Sequence, residues 1–219
     1  MKRFWRNNGL SVVLIVCFFI FWGGQTIAGW HDYNEGQEQH REPQVTLVKY
    51  LSTGHFIEAT FENWESEFLQ MAAYVFLTTF LFQKGSAESK DPDKEEEVDR
   101  EPDPNQKDAP APVKQGGFML MLYSNSLVLA FMGLFLLSFT LHAIGGAKAY
   151  SEEQIQFGAP PVTTWEFLQT SRFWFESMQN WQSEFLAVFC IVVFSIVLRQ
   201  KHSPESKPVD APHQQTGNG

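Results

Sequence analysis

The chain has 219 residues, a formal charge of −9 and two cysteines. These values exclude a disulfide-stapled secreted domain, and the acidic excess excludes the basic footprint of a nucleic-acid binder. One soluble domain does not fit either, because four strongly apolar runs, Leu10–Ala28, Phe68–Phe82, Leu127–Ile144 and Phe185–Leu198, alternate with markedly polar segments.

The chain opens with MKRFWR, an apolar run and TIAGW, a pattern shared by signal peptides and first membrane spans. Leu10–Ala28 meets the roughly 20 helical residues that a bilayer core requires. Asn8 is placed as its N-cap, and Gly29 as the left-handed residue that ends it. The polar phrase YNEGQEQ is then expected to form an outer loop, which Pro43 resets before a short amphipathic segment. Thr53 is expected to cap a long helix from Gly54 to Gln83, about 45 Å at 1.5 Å per residue. Its apolar run is too short to span alone and reaches the needed length only from Asn63, which draws NWESEFL, residues 63–69, into the outer edge of the membrane.

Residues 84–114 are dense in Asp, Glu, Lys and Pro and carry much of the net charge. Such a composition buries too little apolar surface to offset the entropy of ordering, so 87–117 is expected to be a disordered linker. GGFMLMLYSNS then approaches the third span, 127–145, either along the interface or as a helix extension. The fourth span, 180–199, begins at NWQSEFL, and a second disordered segment, 204–219, closes the chain.

Sliding the sequence along itself by 117 positions aligns Asn8–Ser86 with Asn125–Ser203 without a gap, with roughly 26 of 79 positions identical. The matches include Gly29/Gly146, Tyr33/Tyr150, Pro43/Pro160, Thr53/Thr170 and Trp64/Trp181. The fold class expected is therefore an all-α membrane protein of four transmembrane helices. It is built from two tandem parallel two-helix repeats, 1–86 and 118–203, with outer amphipathic segments. Because Leu10–Ala28 aligns with a full span, it reads as a retained helix rather than a cleaved peptide. Lys2, Arg3 and Arg6, then Lys84 and Lys90, then Lys114, then Arg199 and Lys201 flank the spans on one side, which puts both termini and the linker in the cytoplasm.

Trp64 and Trp181 are expected to anchor the interface, where the ring is apolar and the N–H stays wet. Glu67 and Glu184 fall about one turn inside the outer boundary, level with Gln25 and His142. The four form a candidate polar layer that closes the bundle or lines a shallow cavity. The alternative is an interfacial glutamate with no inter-helix partner. His31, His55 and His142 lie toward the outer side, but their repeat counterparts are Lys148, Arg172 and Gln25, so neither haem nor metal is expected. Cys17 and Cys190 sit in apolar runs as small apolar residues. CxxC pairs, phosphate loops, nucleophile elbows and zinc spacings are missing from the sequence, and no enzymatic constellation or cofactor is expected.

HFIEATFENWESEFLQMAAYVFL, with YNEGQEQH upstream and RFWRNNGLS at the N-terminus, resembles a family of uncharacterised bacterial membrane proteins, a domain of unknown function. The resemblance covers Phe4–Ser86 and Tyr123–Lys201. It implies a bacterial cytoplasmic membrane and brings no activity or catalytic residue. The expectation is a non-enzymatic bundle that acts by assembly, with the lipid bilayer and a second copy or another membrane protein as partners. A small transporter or channel component using the Glu67/Glu184 layer is the alternative.

Overall fold

The structure is a computed structural model that describes residues 2–217; Met1 and Asn218–Gly219, the outermost residues of the expected first repeat and tail, lie outside the described residues. Every regular element among them is helical. The order is α1 (Lys2–Gln39), α2 (Leu47–Tyr50), α3 (Gly54–Leu77), α4 (Ala111–Gln115), α5 (Gly117–Ser124), α6 (Ser126–Gln156), α7 (Thr164–Phe167) and α8 (Ser171–Val197), with a 3-10 turn at Glu97–Asp99. The chain divides into two units, Met1–Phe61 with Thr140–Trp174, and Glu62–Phe139 with Phe175–Gly219. Each unit draws on both halves of the sequence.

Among the described residues, three helices are long and apolar enough to cross a membrane: α1, α6 and α8. The fourth expected span falls short for two reasons. Glu58, Glu62, Glu65 and Glu67 crowd the N-terminal and central turns of α3, and the helix stops at Leu77 instead of reaching Gln83. Thr78–Phe80 turns there, with the Thr78 and Thr79 hydroxyls donating to the carbonyls three residues back.

Burial is inverted relative to a water-soluble protein. Among the described residues, fourteen polar side chains are buried against eight apolar ones, while Leu14, Ile20 and Phe21 are 60 %, 63 % and 73 % exposed. Side chains on α3 illustrate the pattern: Glu58, Thr60, Glu65, Ser66 and Gln70 are all buried. Glu58 and Glu65 are two turns apart on one face, so the helix turns these two acids inward.

α1 and α6 run on as helix through YNEGQEQ and YSEEQIQ, which had been expected to loop. Gly29 and Gly146 consequently lie inside helices and end neither. Their role is close approach: a Cβ on Gly29 would stand 2.3 Å from the Tyr50 hydroxyl, and one on Gly146 would stand 2.4 Å from the Phe167 ring. Glu and Gln are good helix formers, so nothing stops propagation until residue 40 or 157. Asn8 likewise sits within α1, donating to the Phe4 carbonyl instead of capping. Asn125 separates α5 from α6 and donates to the Met121 carbonyl.

Positions 117 apart repeat their local geometry within the first unit. Thr46 accepts a backbone N–H at the start of α2, and Thr163 does the same for α7, where Glu166 completes a capping box. Thr53 and Thr170 cap α3 and α8 by accepting from Phe56 N and Phe173 N, each at 3.3 Å, as expected. Asn34 exchanges two hydrogen bonds with the Val45 backbone, and Ser151 exchanges two with Val162. Tyr50 and Phe167 fill matching buried positions.

In the second unit the C-terminal tail lies along the segment that follows α3. The Lys207 ammonium is buried and donates to the carbonyls of Gly85, His213 and Gln215. Gly217 N donates to the Ser86 carbonyl at 2.9 Å.

Candidate functional site

A close seam positions the polar centre of the first unit. A Cβ on Gly54 would lie 2.4 Å from Ala149 N and 2.7 Å from the Gly145 carbonyl, and one on Gly145 would lie 2.6 Å from Glu58 N. With glycine on both sides, the first turn of α3 rests directly on the backbone of α6. Glu58 is one turn along α3 from Gly54, and His142 is one turn before Gly145 on α6, so the seam brings the two side chains together. Glu58 is 7 % exposed and His142 fully buried, and their donor atoms lie within 4.8 Å of one another. Gly146 leaves room for the carboxylate, since a Cβ there would stand 2.8 Å from Glu58 Oε1. The His142 ring packs on Phe173 at 4.8 Å between centroids, and Phe167 meets Phe173 edge-on.

Glu58 also lines a cavity of about 230 Å³ between the C-terminal ends of α1 and α6 and the starts of α3 and α8. Asp32, Glu152 and Glu153 add three further carboxylates to its wall, against one guanidinium, that of Arg172. Arg172 is bonded to Glu153 and covers the Tyr150 ring. Tyr33 donates its hydroxyl proton to Glu152 at 3.2 Å. The Tyr50 hydroxyl and His55 Nδ1 share a hydrogen bond of 3.0 Å, and His55 Nε2 faces Asp32 at 3.7 Å. Burial, with the Asp32 charge added, pushes the Tyr50 phenol up to about 12, so it stays a proton donor. Burial also lowers the His55 pKa, against the opposing pull of Asp32 and Glu152. The wall is therefore acidic, with a neutral imidazole at its edge.

Residues 1–218 match a protein family described as Domain of unknown function (DUF6766). The chain belongs to this family. No curated protein and no solved structure matches it. Membership in DUF6766 bears out the resemblance to a domain of unknown function and assigns no role to any residue, so the chemistry rests on the geometry.

Of the four residues expected in a polar layer, Gln25 and His142 belong to the first unit and Glu67 and Glu184 to the second. Of the pair in the first unit, His142 is the buried partner of Glu58, whereas Gln25 is exposed and donates to the Ala59 carbonyl at 3.0 Å. In the second unit Glu67 is exposed and Glu184 half-buried, within reach of each other's charge. Trp64 and Trp181 are half-buried. The Trp181 indole donates to Glu65 Oε1 at 2.9 Å and packs edge-on against Phe135, so this N–H meets a carboxylate and not water.

Glu58 and Glu65 are the residues that sequence reasoning passed over. The repeat pairs Glu65 with Gln182, yet Glu65 is completely buried and Gln182 exposed. The available signal was the seven-residue spacing of Glu58, Glu65 and Ala72, which marks one helical face. Glu176, half-buried, lies one turn beyond Phe173 on α8 and had also drawn no notice.

Proposed function

We propose that this DUF6766 protein is a non-enzymatic integral membrane protein of a bacterial inner membrane, acting by assembly with a partner or a second copy. It crosses four times, α3 being the fourth crossing, as two tandem parallel units with both termini cytoplasmic. The observation that carries the reading is the inverted burial: Asn34, Glu58, Glu65 and Gln70 turned inward, and Leu14, Ile20, Phe21 and many other large apolar side chains turned outward. The geometry repeated at positions 117 apart supports the duplication, and the basic residues around the spans support the orientation. Cysteine mapping in a background lacking Cys17 and Cys190 tests the topology. Gly36→Cys should label from outside, and Asp99→Cys only after the membrane is opened. The reverse pattern overturns the orientation, and labelling of both from one side without permeabilisation, in spheroplasts and in inverted vesicles alike, overturns the membrane reading.

A second reading, a small cation carrier or channel component, is favoured by the acidic cavity that reaches Glu58. Proteoliposome flux separates the two. Proton or metal-ion flux that is lost in Glu58→Gln selects the carrier; its absence from wild type selects the assembly role.

A further inference from the structure

We propose that Glu58 and His142 are protein ligands of a divalent transition-metal ion, with Zn²⁺ as the reference case, loaded from the acidic cavity. The donor types suit it: imidazole and carboxylate together are a characteristic ligand set for zinc. The spacing suits it as well. Two ligand atoms at about 2.0–2.2 Å from a tetrahedral zinc stand roughly 3.5 Å apart, and the observed limit of 4.8 Å closes to that by small side-chain rotations. Both side chains are held on rigid helices by the Gly54–Gly145 seam, and Phe173 fixes the plane of the imidazole. Gly146 keeps the space beside Glu58 Oε1 free of a side chain.

Access is an independent observation. The same glutamate that approaches His142 forms part of the cavity wall, so an ion reaches it without crossing an apolar layer. Asp32, Glu152 and Glu153 surround the route with negative charge, which raises the local concentration of cations. Water from the cavity completes the coordination sphere. The duplicated sequence also fixes the stoichiometry. The counterparts of Glu58 and His142 are Phe175 and Gln25, so the chain has one such site and not two.

The full chain, purified in detergent, is equilibrated with Zn²⁺, desalted and assayed for metal by mass spectrometry; affinity follows from competition with a chelating dye. About one zinc per chain is expected. Glu58→Gln and His142→Gln should each weaken binding by ~10-fold or more, by the loss of a ligand, and Glu58→Asp should fall between them and wild type. A His31→Gln/His202→Gln double variant, altered at exposed histidines outside the cavity wall, should bind as wild type does. Helicity and elution volume report folding of each variant. Should both core variants misfold, the wild type decides: Zn²⁺ is expected to raise its thermal midpoint. No retained zinc, affinity unchanged in both core variants, loss confined to the exposed-histidine variant, or no thermal shift in the wild type overturns the proposal. None of these readouts depends on ion flux, so a failed carrier and a failed metal site are told apart.

Discussion

Replacing Gly145 by alanine adds one methyl group to the seam between α3 and α6. The new Cβ would lie 2.6 Å from Glu58 N, 2.7 Å from Ile57 Cγ2 and 2.9 Å from Ile57 Cβ. Comfortable contact between such atoms is about 3.5–4.0 Å, so α3 must retreat by roughly 1 Å. Two of the three obstructing atoms are a backbone nitrogen and a Cβ, which no rotamer change removes. Overpacking against fixed atoms costs up to about 3 kcal/mol, and alanine's better helix propensity returns up to about 1 kcal/mol. The net loss is then roughly 2 kcal/mol, which at about 2–4 °C per kcal/mol for a chain of this size lowers the midpoint by roughly 4–8 °C. Gly133→Ala is the control, because nothing lies within 4 Å of its Cβ position; it should match or exceed the wild type. The assay is thermal unfolding in detergent, followed by tryptophan fluorescence. If Gly145→Ala melts with Gly133→Ala, the two helices do not meet backbone to backbone, and the placement of Glu58 beside His142 loses its basis.

Three other perturbations test separate parts of the reasoning. Trp181→Phe removes the indole donor to the fully buried Glu65 and should destabilise by about 1–3 kcal/mol, read from thermal midpoints. Thr163→Ala deletes the side-chain cap of α7 and should cost about 1 kcal/mol locally, visible as faster amide exchange across Thr164–Phe167 with little change elsewhere. His55 has its pKa lowered by burial, so in the folded protein it takes up its proton at a lower pH than in the unfolded chain. Between those two values the unfolded state binds more protons, and stability falls as pH drops from about 6.5 through the folded pKa. His55→Gln should flatten that part of the pH dependence of the midpoint; an unchanged slope would remove His55 from the account.

Much of the helical layout was legible in the sequence because helices long and apolar enough to cross a membrane advertise themselves by length and hydropathy. Thr53 and Thr170 were recognisable as caps because each precedes a long helix with a hydroxyl in position to accept a backbone N–H. The extension of α1 and α6 beyond Gly29 and Gly146 was not legible. A glycine before a polar phrase reads as a helix end, and the large partner each glycine accommodates, Tyr50 or Phe167, lies about 21 residues away in sequence. The site was half legible. His142 stood out as a polar residue in an apolar run, but its partner Glu58 is one of four glutamates within ten residues of α3. Sequence position made Glu67 the choice, because it sits beside the apolar run and recurs as Glu184. Helical phase decides otherwise: Glu58 and Glu65 face inward and Glu67 faces out.

The acids of α3 set an order for biogenesis. The surroundings that bury Glu58 and Glu65 include the Gly145 seam, His142 and Trp181, all supplied by the second half of the chain. When α3 leaves the ribosome none of these has been made, and each acid near the centre of a lipid-exposed helix adds roughly 2.5–3.5 kcal/mol to the cost of insertion. On the proposed four-crossing reading, the first half should therefore wait at the membrane surface or in the insertion machinery, and α3 should enter the bilayer only as α6 and α8 arrive. A fragment ending at Ser86 would anchor through α1 alone, leaving its second helix on the water side.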